Sequence, residues 1–276
     1  MGLDDDLREV VRGCPGTFGV YARNLATGET AEFDAERVLP TESAAKTFIL
    51  VHYARLVATG ECDPSTRVPL TDEHRLLGTG VLRYLAAGLA PTLDDLAWLM
   101  IIVSDNVATR MLMESIGGPD DVNETMLGLG LRTARLNPTI TLEAAMAGEP
   151  FATSTAHDLA EVYTHLDERC RSMLFRQQHL IGLPRRLPHA ADASDLGFTL
   201  PVRVFNKTGN GMGTYIDSGL FETDAAAWIV AAMAKDQQDF ASRPDDVAPN
   251  SFGEIGELLY LAWGDVPREG NGPADR

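Results

Sequence analysis

Extended sequence patterns near both ends of the chain enclose a long helical stretch, and this order constrains the fold more than any other feature. Near the N-terminus, Thr17–Asn24 alternates in the manner of a strand, and Thr30–Phe33 resumes extended character after a short turn. Extended patterns return only after Pro201, at Val202–Phe205 and Thr214–Phe221. We therefore expect an α/β domain made from both ends of the chain, with a helical domain inserted between them.

The stretch between these strands has helical periodicity. After Pro40, apolar residues recur at helical spacing through about residue 59, and Thr92–Asp95 forms a capping pattern ahead of the apolar run Leu96–Val103. Ala225–Ala234 is ambiguous, because alanine favours a helix and the central Trp-Ile-Val favours a buried strand. Further helices are predicted at 4–12, 106–115, 119–128, 155–167, 170–180 and from Phe252 to Ala262.

The charged residues exclude some partners and draw attention to lysine. The chain has 40 acidic and 23 basic residues and a net charge of −17, which argues against nucleic acid and anionic membranes as partners. Only three of the basic residues are lysines, namely Lys46, Lys207 and Lys235. Because arginine cannot readily lose its proton, each lysine is a candidate for a role that requires a dissociable one.

Ser43 and Lys46 form an SxxK pair on the first turn of the helix after Pro40. A spacing of three places both side chains on one helical face. A serine hydroxyl is a weak nucleophile that needs a base, and a lysine that is partly desolvated near another cation can be that base. Backbone N–H groups at the helix N-terminus can stabilise a developing oxyanion. The alternative is a serine near a helix start with an exposed lysine.

Ser104-Asp105-Asn106 follows the apolar run, 58 residues after Lys46. A hydroxyl at this point can pass a proton to a leaving group, and an asparagine amide can hold a substrate carbonyl. The alternative is a turn or a helix N-cap.

Lys207-Thr208-Gly209 ends the strand pattern that begins at Val202. A second cation there can lower the pKa of Lys46 and polarise Ser104. The glycine lets a substrate approach the backbone at the strand edge. The alternative is a set of hairpin residues on an exposed edge.

The three motifs together exceed what the composition predicts. About 0.1 SxxK pairs, about 0.02 SDN and about 0.02 KTG motifs are expected by chance, so the full set arises roughly once in ten thousand chains. With Pro40 ahead of Ser43, the segment Leu99–Asn106 (LMIIVSDN) and the tetrapeptide Ile116–Pro119, the chain resembles the class A β-lactamase and penicillin-binding protein superfamily. The resemblance extends from about residue 16 to 263.

The resemblance implies a fold and a position for the site. It implies an antiparallel sheet flanked by helices plus an all-helical domain, a mixed α/β fold of the α+β type. The sheet domain is expected to comprise residues 1–38 and 184–276, and the helical domain residues 39–183. The active site is expected at the interface of the two domains.

The same resemblance implies a role for each motif residue. Ser43 would be the acylated nucleophile, Lys46 its general base, Ser104 the proton shuttle to the leaving group and Lys207 the electrostatic support of that shuttle. The backbone N–H groups of Ser43 and Asn210 would form the oxyanion hole. Substrate binding would fall to Asn106, Thr208 and Asn210.

The segment that activates the deacylating water departs from the family pattern. When the loop arginine of the family is aligned with Arg135, Asn137 stands where the catalytic glutamate should be, and asparagine cannot act as a general base. Thr141 stands where the family has asparagine. Glu143 or Glu149 could take the role through a different loop path.

A second departure concerns the substrate carboxylate. The family usually holds it with an arginine on the strand after KTG, and anchoring on Gly213 and Thr214 places Tyr215 at that position. Tyrosine donates one neutral hydrogen bond where arginine donates a charged fork, so a lower affinity for carboxylates is expected. Tyr215 is thus a fourth predicted substrate-binding residue, and Arg203 is a candidate for compensation.

Other sequence signals favour a cytoplasmic enzyme without a cofactor or metal. The acidic segment Met1–Asp6 has no secretory signal, no apolar run reaches the length of a membrane span, and Cys14, Cys62 and Cys170 have no metal spacing. Sparse cysteines fit a reducing compartment. A small-molecule substrate is expected, with no nucleic acid and no membrane partner, and the oligomeric state stays open.

The expected function is a serine hydrolase or acyltransferase that forms an acyl-enzyme on Ser43. Its acyl donor would be an ester or amide of a small metabolite or peptide. One alternative is a true β-lactamase with a rearranged deacylation loop. The other is a penicillin-binding or sensing module without turnover.

Overall fold

The protein is built around a five-stranded antiparallel sheet. The computed structural model describes residues 2–137, 149–189, 194–240 and 243–264. The strands of the sheet are β1 (Thr17–Asn24), β2 (Thr30–Phe33), β6 (Arg203–Gly211), β7 (Thr214–Glu222) and β8 (Ala227–Lys235). Their order is β2-β1-β8-β7-β6, so the N-terminal hairpin joins the C-terminal strands through β1 and β8, and β6 forms an edge. The predicted fold class is confirmed.

The ambiguous alanine-rich segment is the central strand β8. It pairs antiparallel with β1 from Thr17↔Lys235 to Asn24↔Trp228, and with β7 on its other side. Trp228 and the residues up to Ala234 are buried, so small and β-branched side chains face a core on both sides. This two-sided burial outweighs the helical propensity of alanine.

The helical block matches the sequence prediction in most elements. The predicted helix 155–167 is shorter, because a 3₁₀ turn at Val162–His165 follows its first part. The predicted helix 170–180 begins and ends earlier. The helices are α1 (Leu3–Val11), α2 (Lys46–Thr59), α3 (Leu93–Ile102), α4 (Asn106–Ser115), α5 (Pro119–Gly128), α6 (Ala156–Glu161), α7 (Glu168–Phe175) and α8 (Val247–Trp263).

The sheet carries a hydrophobic core on each face. On one face, Ile216 and Met233 belong to the same cluster as Phe48 of α2 and the side chains of α3 and α4. On the other face, α1 and α8 cover the sheet, with Phe252 at the centre of a second cluster. Because the helical block shares its core with the sheet, the junction of α2 and β6 is held by packing from both sides. The domain boundaries after residues 38 and 183 stay a prediction.

A second, three-stranded sheet anchors the chain where it enters α2. Its strands are β3 (Leu39–Pro40), β4 (Arg135–Leu136) and β5 (Ala152–Ser154), in the order β3-β5-β4. Thr41 continues the pairing, since its N–H donates to the carbonyl oxygen of Ala152 at 3.0 Å. None of the described helices has both the length and the apolar character needed to cross a membrane.

Candidate active site

Ser43 lies on a tight turn rather than on the α-helix itself. Residues Glu42–Ala45 form a 3₁₀ turn that leads directly into α2. Ser43 is half-buried, and the following Ala44 is fully buried beneath it. The edge strand passes very close: a Cβ on Gly209 would lie 2.8 Å from the backbone nitrogen of Ala44 and would also meet the carbonyl oxygen of Thr41. A glycine in the KTG motif is therefore required for this approach.

Lys46 joins the first two motifs through its ammonium nitrogen. Its Nζ donates hydrogen bonds to the carbonyl oxygen of Ser104 at 2.7 Å and to Oδ1 of Asn106 at 2.9 Å, and lies 3.0 Å from Oγ of Ser104. The side chain is 1% exposed, one turn along the chain from Ser43. Burial lowers the pKa of Lys46 well below its ordinary value, the charge of Lys207 lowers it further, and Asp105 opposes the shift. A lysine in this setting can be neutral and act as a base.

The SDN segment is both an N-cap and part of the site. Asp105 caps α4 by accepting from the N–H of Ala108 at 2.9 Å, and its other oxygen accepts from the N–H groups of Val81 and Leu82. Ser104 has a positive φ of 56°, which turns the chain sharply at the end of α3. The SDN segment can therefore be a helix N-cap and a catalytic motif at the same time, because the capped turn holds Ser104 against Lys46.

Asn106 uses both ends of its amide. Its oxygen accepts from Lys46, and its Nδ2 donates to the carbonyl oxygen of Leu77 at 3.0 Å. The amide nitrogen has a second N–H, which remains for a substrate carbonyl. The loop ahead of it is also tied to this turn, since the Thr79 hydroxyl donates to the Ser104 carbonyl oxygen at 2.7 Å.

Lys207 is the second buried cation of the site. It is fully buried on β6, and its Nζ donates to the carbonyl oxygen of Thr208 at 2.8 Å. Burial lowers its pKa to about 7, against the opposing charge of Asp217. Thr208 is buried beside it, and Asn210 is exposed two positions further along the edge strand. The structure thus brings all three motifs to the junction of α2, α4 and β6.

Tyr215 does not reach this junction, so its predicted substrate contact is wrong. It pairs across the hairpin with Asn210, but its ring is fully buried in the second core and lies 5.3 Å from the ring of Phe252. The sequence alignment gave the strand position correctly and the face incorrectly, because β7 is buried on both faces. Arg203 does not compensate: its guanidinium lies 3.2 Å from Glu222 on the neighbouring strand.

Of the two glutamates predicted as alternative deacylating bases, the structure describes Glu149, which lies next to Asn137. Nδ2 of Asn137 lies 3.4 Å from Oε2 of Glu149, and the Asn137 N–H donates to the carbonyl oxygen of Phe151. Glu149 is exposed. Thr141 and Glu143 lie outside the described residues.

Two ionisable residues near the site escaped the sequence prediction. His179 follows a segment that hydrogen-bonds to the end of α3, and partial burial together with the charges of Lys207 and Lys46 lowers its pKa. A lone histidine gives no sequence signal for such a position. Glu42 directly precedes Ser43, and that adjacency was its only signal. No cluster of metal-ligating side chains occurs in the described parts of the chain.

Comparison with known proteins agrees with this geometry. Residues 2–263 match a family model described as the β-lactamase enzyme family. A β-lactamase of Streptomyces lavendulae is 29% identical over 267 residues, which cover 94% of this chain and 85% of the relative. A β-lactamase structure from Sphaerobacter thermophilus aligns with a TM-score of 0.81 and 26% identity, covering 96% of this chain and 98% of that one. The structure of PBP-A aligns with a TM-score of 0.80 and 22% identity, covering 94% and 95%. The chain therefore belongs to the β-lactamase enzyme family and is a serine hydrolase of the class A type.

Proposed function

We propose that this protein forms an acyl-enzyme on Ser43 with an ester or amide of a small metabolite or peptide, and then transfers the acyl group to water or to a small acceptor. The observation that carries the proposal is the buried Lys46, which contacts Ser104 and Asn106 and has a lowered pKa one turn from Ser43. A structural lysine would gain from a buried counter-ion, whereas this one donates to neutral oxygens.

The first step is attack by Ser43. Neutral Lys46 takes the Oγ proton as Oγ bonds to the acyl carbon, and backbone N–H groups of Ser43 and Asn210 receive the developing oxyanion. The Ser104 hydroxyl lies 3.0 Å from Lys46 Nζ, so the proton can pass through it to the leaving group as the bond between the acyl carbon and that group breaks. Lys207 supplies positive charge at that side of the site.

Mutual repulsion of the two lysines explains the division of their roles. Both side chains are almost completely buried, and each positive charge disfavours the other. A carboxylate opposes the pKa shift of each lysine, Asp105 for Lys46 and Asp217 for Lys207, but the pKa of Lys46 is lowered by the charge of Lys207 in addition to burial. Lys46 therefore releases its proton first and is the base.

The substrate is expected to depend little on a carboxylate. Tyr215 is buried, Arg203 is paired with Glu222, and Lys207 and Thr208 are left as the groups that can contact an anion at this edge. This supports a substrate that is recognised mainly through its reacting carbonyl and apolar contacts. The exposed Leu77 on the loop above Asn106 and the exposed Met212 at the end of β6 can supply such contacts.

Hydrolysis of β-lactams is the second candidate function. It is favoured by the named β-lactamase relatives and by Glu149, whose carboxylate lies beside Asn137 at 3.4 Å. Rapid turnover of nitrocefin that is abolished by Glu149→Ala would establish it in place of the first proposal. A stable, stoichiometric acyl-enzyme with no turnover of any ester would instead identify a sensing module.

A cytoplasmic location is part of the proposal. It is supported by the free thiols of Cys14, Cys62 and Cys170, which fit a reducing compartment.

The test is the mass of the intact protein after incubation with benzylpenicillin and with p-nitrophenyl acetate. A mass increase of one acyl group, mapped to Ser43 and absent in Ser43→Ala, is the expected result. A wild-type protein that neither gains mass with either donor nor turns either donor over would remove nucleophilic catalysis from consideration.

A further inference from the structure

After acylation, the enzyme must also remove the acyl group from Ser43. The ester on Ser43 must be attacked by a second nucleophile, and at neutral pH water needs a general base to attack efficiently. Lys46 is surrounded by oxygens of Ser104 and Asn106 and serves the first step. Attack by water on this ester therefore requires another base near Ser43.

Glu42 is the candidate that the described residues offer. It directly precedes Ser43, and its backbone has a positive φ of 47°, an uncommon conformation for a residue with a side chain. This conformation turns the carboxyl group toward the edge strand: its Oε1 lies 2.8 Å from the point that a Cβ on Gly211 would occupy, and its Oε2 lies 3.4 Å from it. Gly211 follows Asn210, whose N–H is the second donor of the proposed oxyanion hole. The carboxyl group thus lies between the turn that carries the nucleophile and the strand that carries this donor.

The Glu42 carboxyl group is also chemically unused. Among the described residues it makes no hydrogen bond and no ion pair, unlike Asp105, whose oxygens accept three backbone N–H groups. Burial raises the pKa of Glu42, and no neighbouring charge contributes to this shift. A desolvated carboxylate with unoccupied lone pairs is a stronger base than an exposed one and can accept a proton from water.

We propose that Glu42 is the general base that activates water against the acyl-enzyme on Ser43. The inference rests on the acyl-enzyme of the proposed function. The carboxylate takes a proton from water while the water oxygen bonds to the acyl carbon, and the oxyanion forms against the N–H groups of Ser43 and Asn210. The bond between the acyl carbon and Oγ then breaks, Glu42 returns the proton to Oγ, and a free carboxylic acid leaves.

The adjacent glycine belongs to the same arrangement. A side chain at position 211 would occupy the space within 3.0 Å of the Glu42 carboxyl carbon. Gly211→Ala should displace the carboxyl group without removing it, and so should slow the same step as a change of Glu42 itself.

The experiment separates the two steps with p-nitrophenyl acetate as the probe. Release of p-nitrophenol in a single turnover reports acylation, and loss of the acetyl mass from Ser43 reports deacylation. We expect Glu42→Gln to acylate within about twofold of wild type and to deacylate at least about 100-fold more slowly, since a positioned base contributes about 10²–10⁴-fold. Glu42→Asp should retain part of the deacylation rate, and Glu124→Gln, on the exposed surface of α5, should match wild type.

Each other outcome overturns the proposal in a different way. Unchanged deacylation in Glu42→Gln excludes Glu42 as the base, and slow deacylation in Glu149→Gln instead assigns the role to Glu149. An equal loss in both steps shows that Glu42 only supports the turn. If the wild-type protein never acetylates on Ser43, the proposed function fails first and the inference falls with it.

Discussion

Lys46 donates a hydrogen bond of 2.9 Å to the amide oxygen of Asn106, although the two residues are 60 positions apart in the chain. The contact joins the turn before α2 to the start of α4, and it orients the asparagine so that its nitrogen faces Leu77 and the open side of the site. It also supplies the buried lysine with a neutral acceptor in place of a counter-ion. This hydrogen bond thus fixes the Asn106 amide that is proposed to bind substrate, while burial and the charge of Lys207 lower the pKa of the base.

Substitution of Lys46 by arginine should abolish acylation. Arginine has the charge and approximate length of lysine but cannot lose its proton, so it cannot serve as the base. We expect kcat/KM for p-nitrophenyl acetate to fall by at least about 10³-fold, within the range for loss of a general base. Lys235→Arg is the matched control, because that lysine is half-buried at the end of β8, away from the three motifs, and its Nζ lies 3.8 Å from Asp236. Wild-type rates in Lys46→Arg would show that the lysine acts only as a cation.

Acylation should have a bell-shaped dependence on pH. The rate requires neutral Lys46, so it falls at acidic pH as this lysine is protonated, and it requires charged Lys207, so it falls at alkaline pH as Lys207 loses its proton. Because burial lowers the pKa of Lys207 to about 7, the alkaline limb of kcat/KM should have its midpoint there. In Lys207→Arg the cation persists, and the alkaline limb should move upward by more than one pH unit. An unchanged limb in that variant would assign it to another group.

Asp105 should contribute more to stability than a typical helix cap. Its carboxylate caps α4 and also accepts from the N–H groups of Val81 and Leu82, which become unpaired in Asp105→Ala. A lost cap costs about 1 kcal/mol and the buried Leu82 donor left unpaired about 1–3 kcal/mol, whereas Val81 is exposed and water can reach its N–H, so the free energy of unfolding should drop by at least about 2 kcal/mol. Asp95→Ala removes a capping box from α3 at an exposed position and should cost about 1 kcal/mol.

Urea denaturation of both variants measures this difference directly. Equal losses in Asp105→Ala and Asp95→Ala would mean that the contacts to Val81 and Leu82 add nothing to the stability of the folded state. Acylation should also slow in Asp105→Ala alone, since Ser104 is held against Lys46 by this turn.

Alanine substitution should have opposite effects at two glycines, because β6 packs closely against the 3₁₀ turn Glu42–Ala45 at Gly209 and nothing is close to Gly128. A Cβ on Gly209 would meet the carbonyl oxygen of Thr41 and the nitrogen of Ala44, so Gly209→Ala should destabilise the protein by about 1–3 kcal/mol and reduce acylation more than tenfold. Gly128→Ala lies at the end of α5 with no atom within 4 Å of the new Cβ, and should stabilise the protein by up to about 1 kcal/mol. Thermal unfolding and single-turnover acylation of both variants provide the test. Normal acylation in Gly209→Ala would show that the turn can move without harm.

The sequence sufficed for the parts of the fold that depend on local pattern. The helix starting at Asn106 has its cap residue next to it in the chain, and the five-stranded sheet is formed from both ends of the chain, where the longer extended patterns occur. The residues of the three motifs could be predicted as site residues because each motif is only three or four positions long. Its spacing therefore fixes both the local backbone geometry and the side chains that carry the chemistry. The prediction placed Ser43 on the first turn of the α-helix, whereas the structure places it on a 3₁₀ turn ahead of that helix.

Features that depend on tertiary contacts were not predictable in this way. The face of Tyr215 could not be read from alternation, because its strand has apolar neighbours on both sides of the sheet. The proximity of His179 to the two lysines arises from a loop that packs on the end of α3, for which the sequence has no marker. The surroundings of the Glu42 carboxyl group depend on Gly211, which lies 169 positions later in the chain and comes beside it only in the folded protein.

Tyr215→Phe distinguishes the buried position of this side chain from the substrate contact that sequence alignment indicates. The Tyr215 hydroxyl is fully buried and has no hydrogen-bond partner among the described residues, so it is desolvated without compensation. Its removal should leave the free energy of unfolding unchanged or raise it by about 1 kcal/mol, and should leave KM and kcat for p-nitrophenyl acetate and benzylpenicillin within about twofold of wild type. A severalfold rise in KM for benzylpenicillin alone would show that the hydroxyl contacts the substrate carboxylate. A loss of stability above about 1 kcal/mol would instead show that the hydroxyl finds a partner inside the second core.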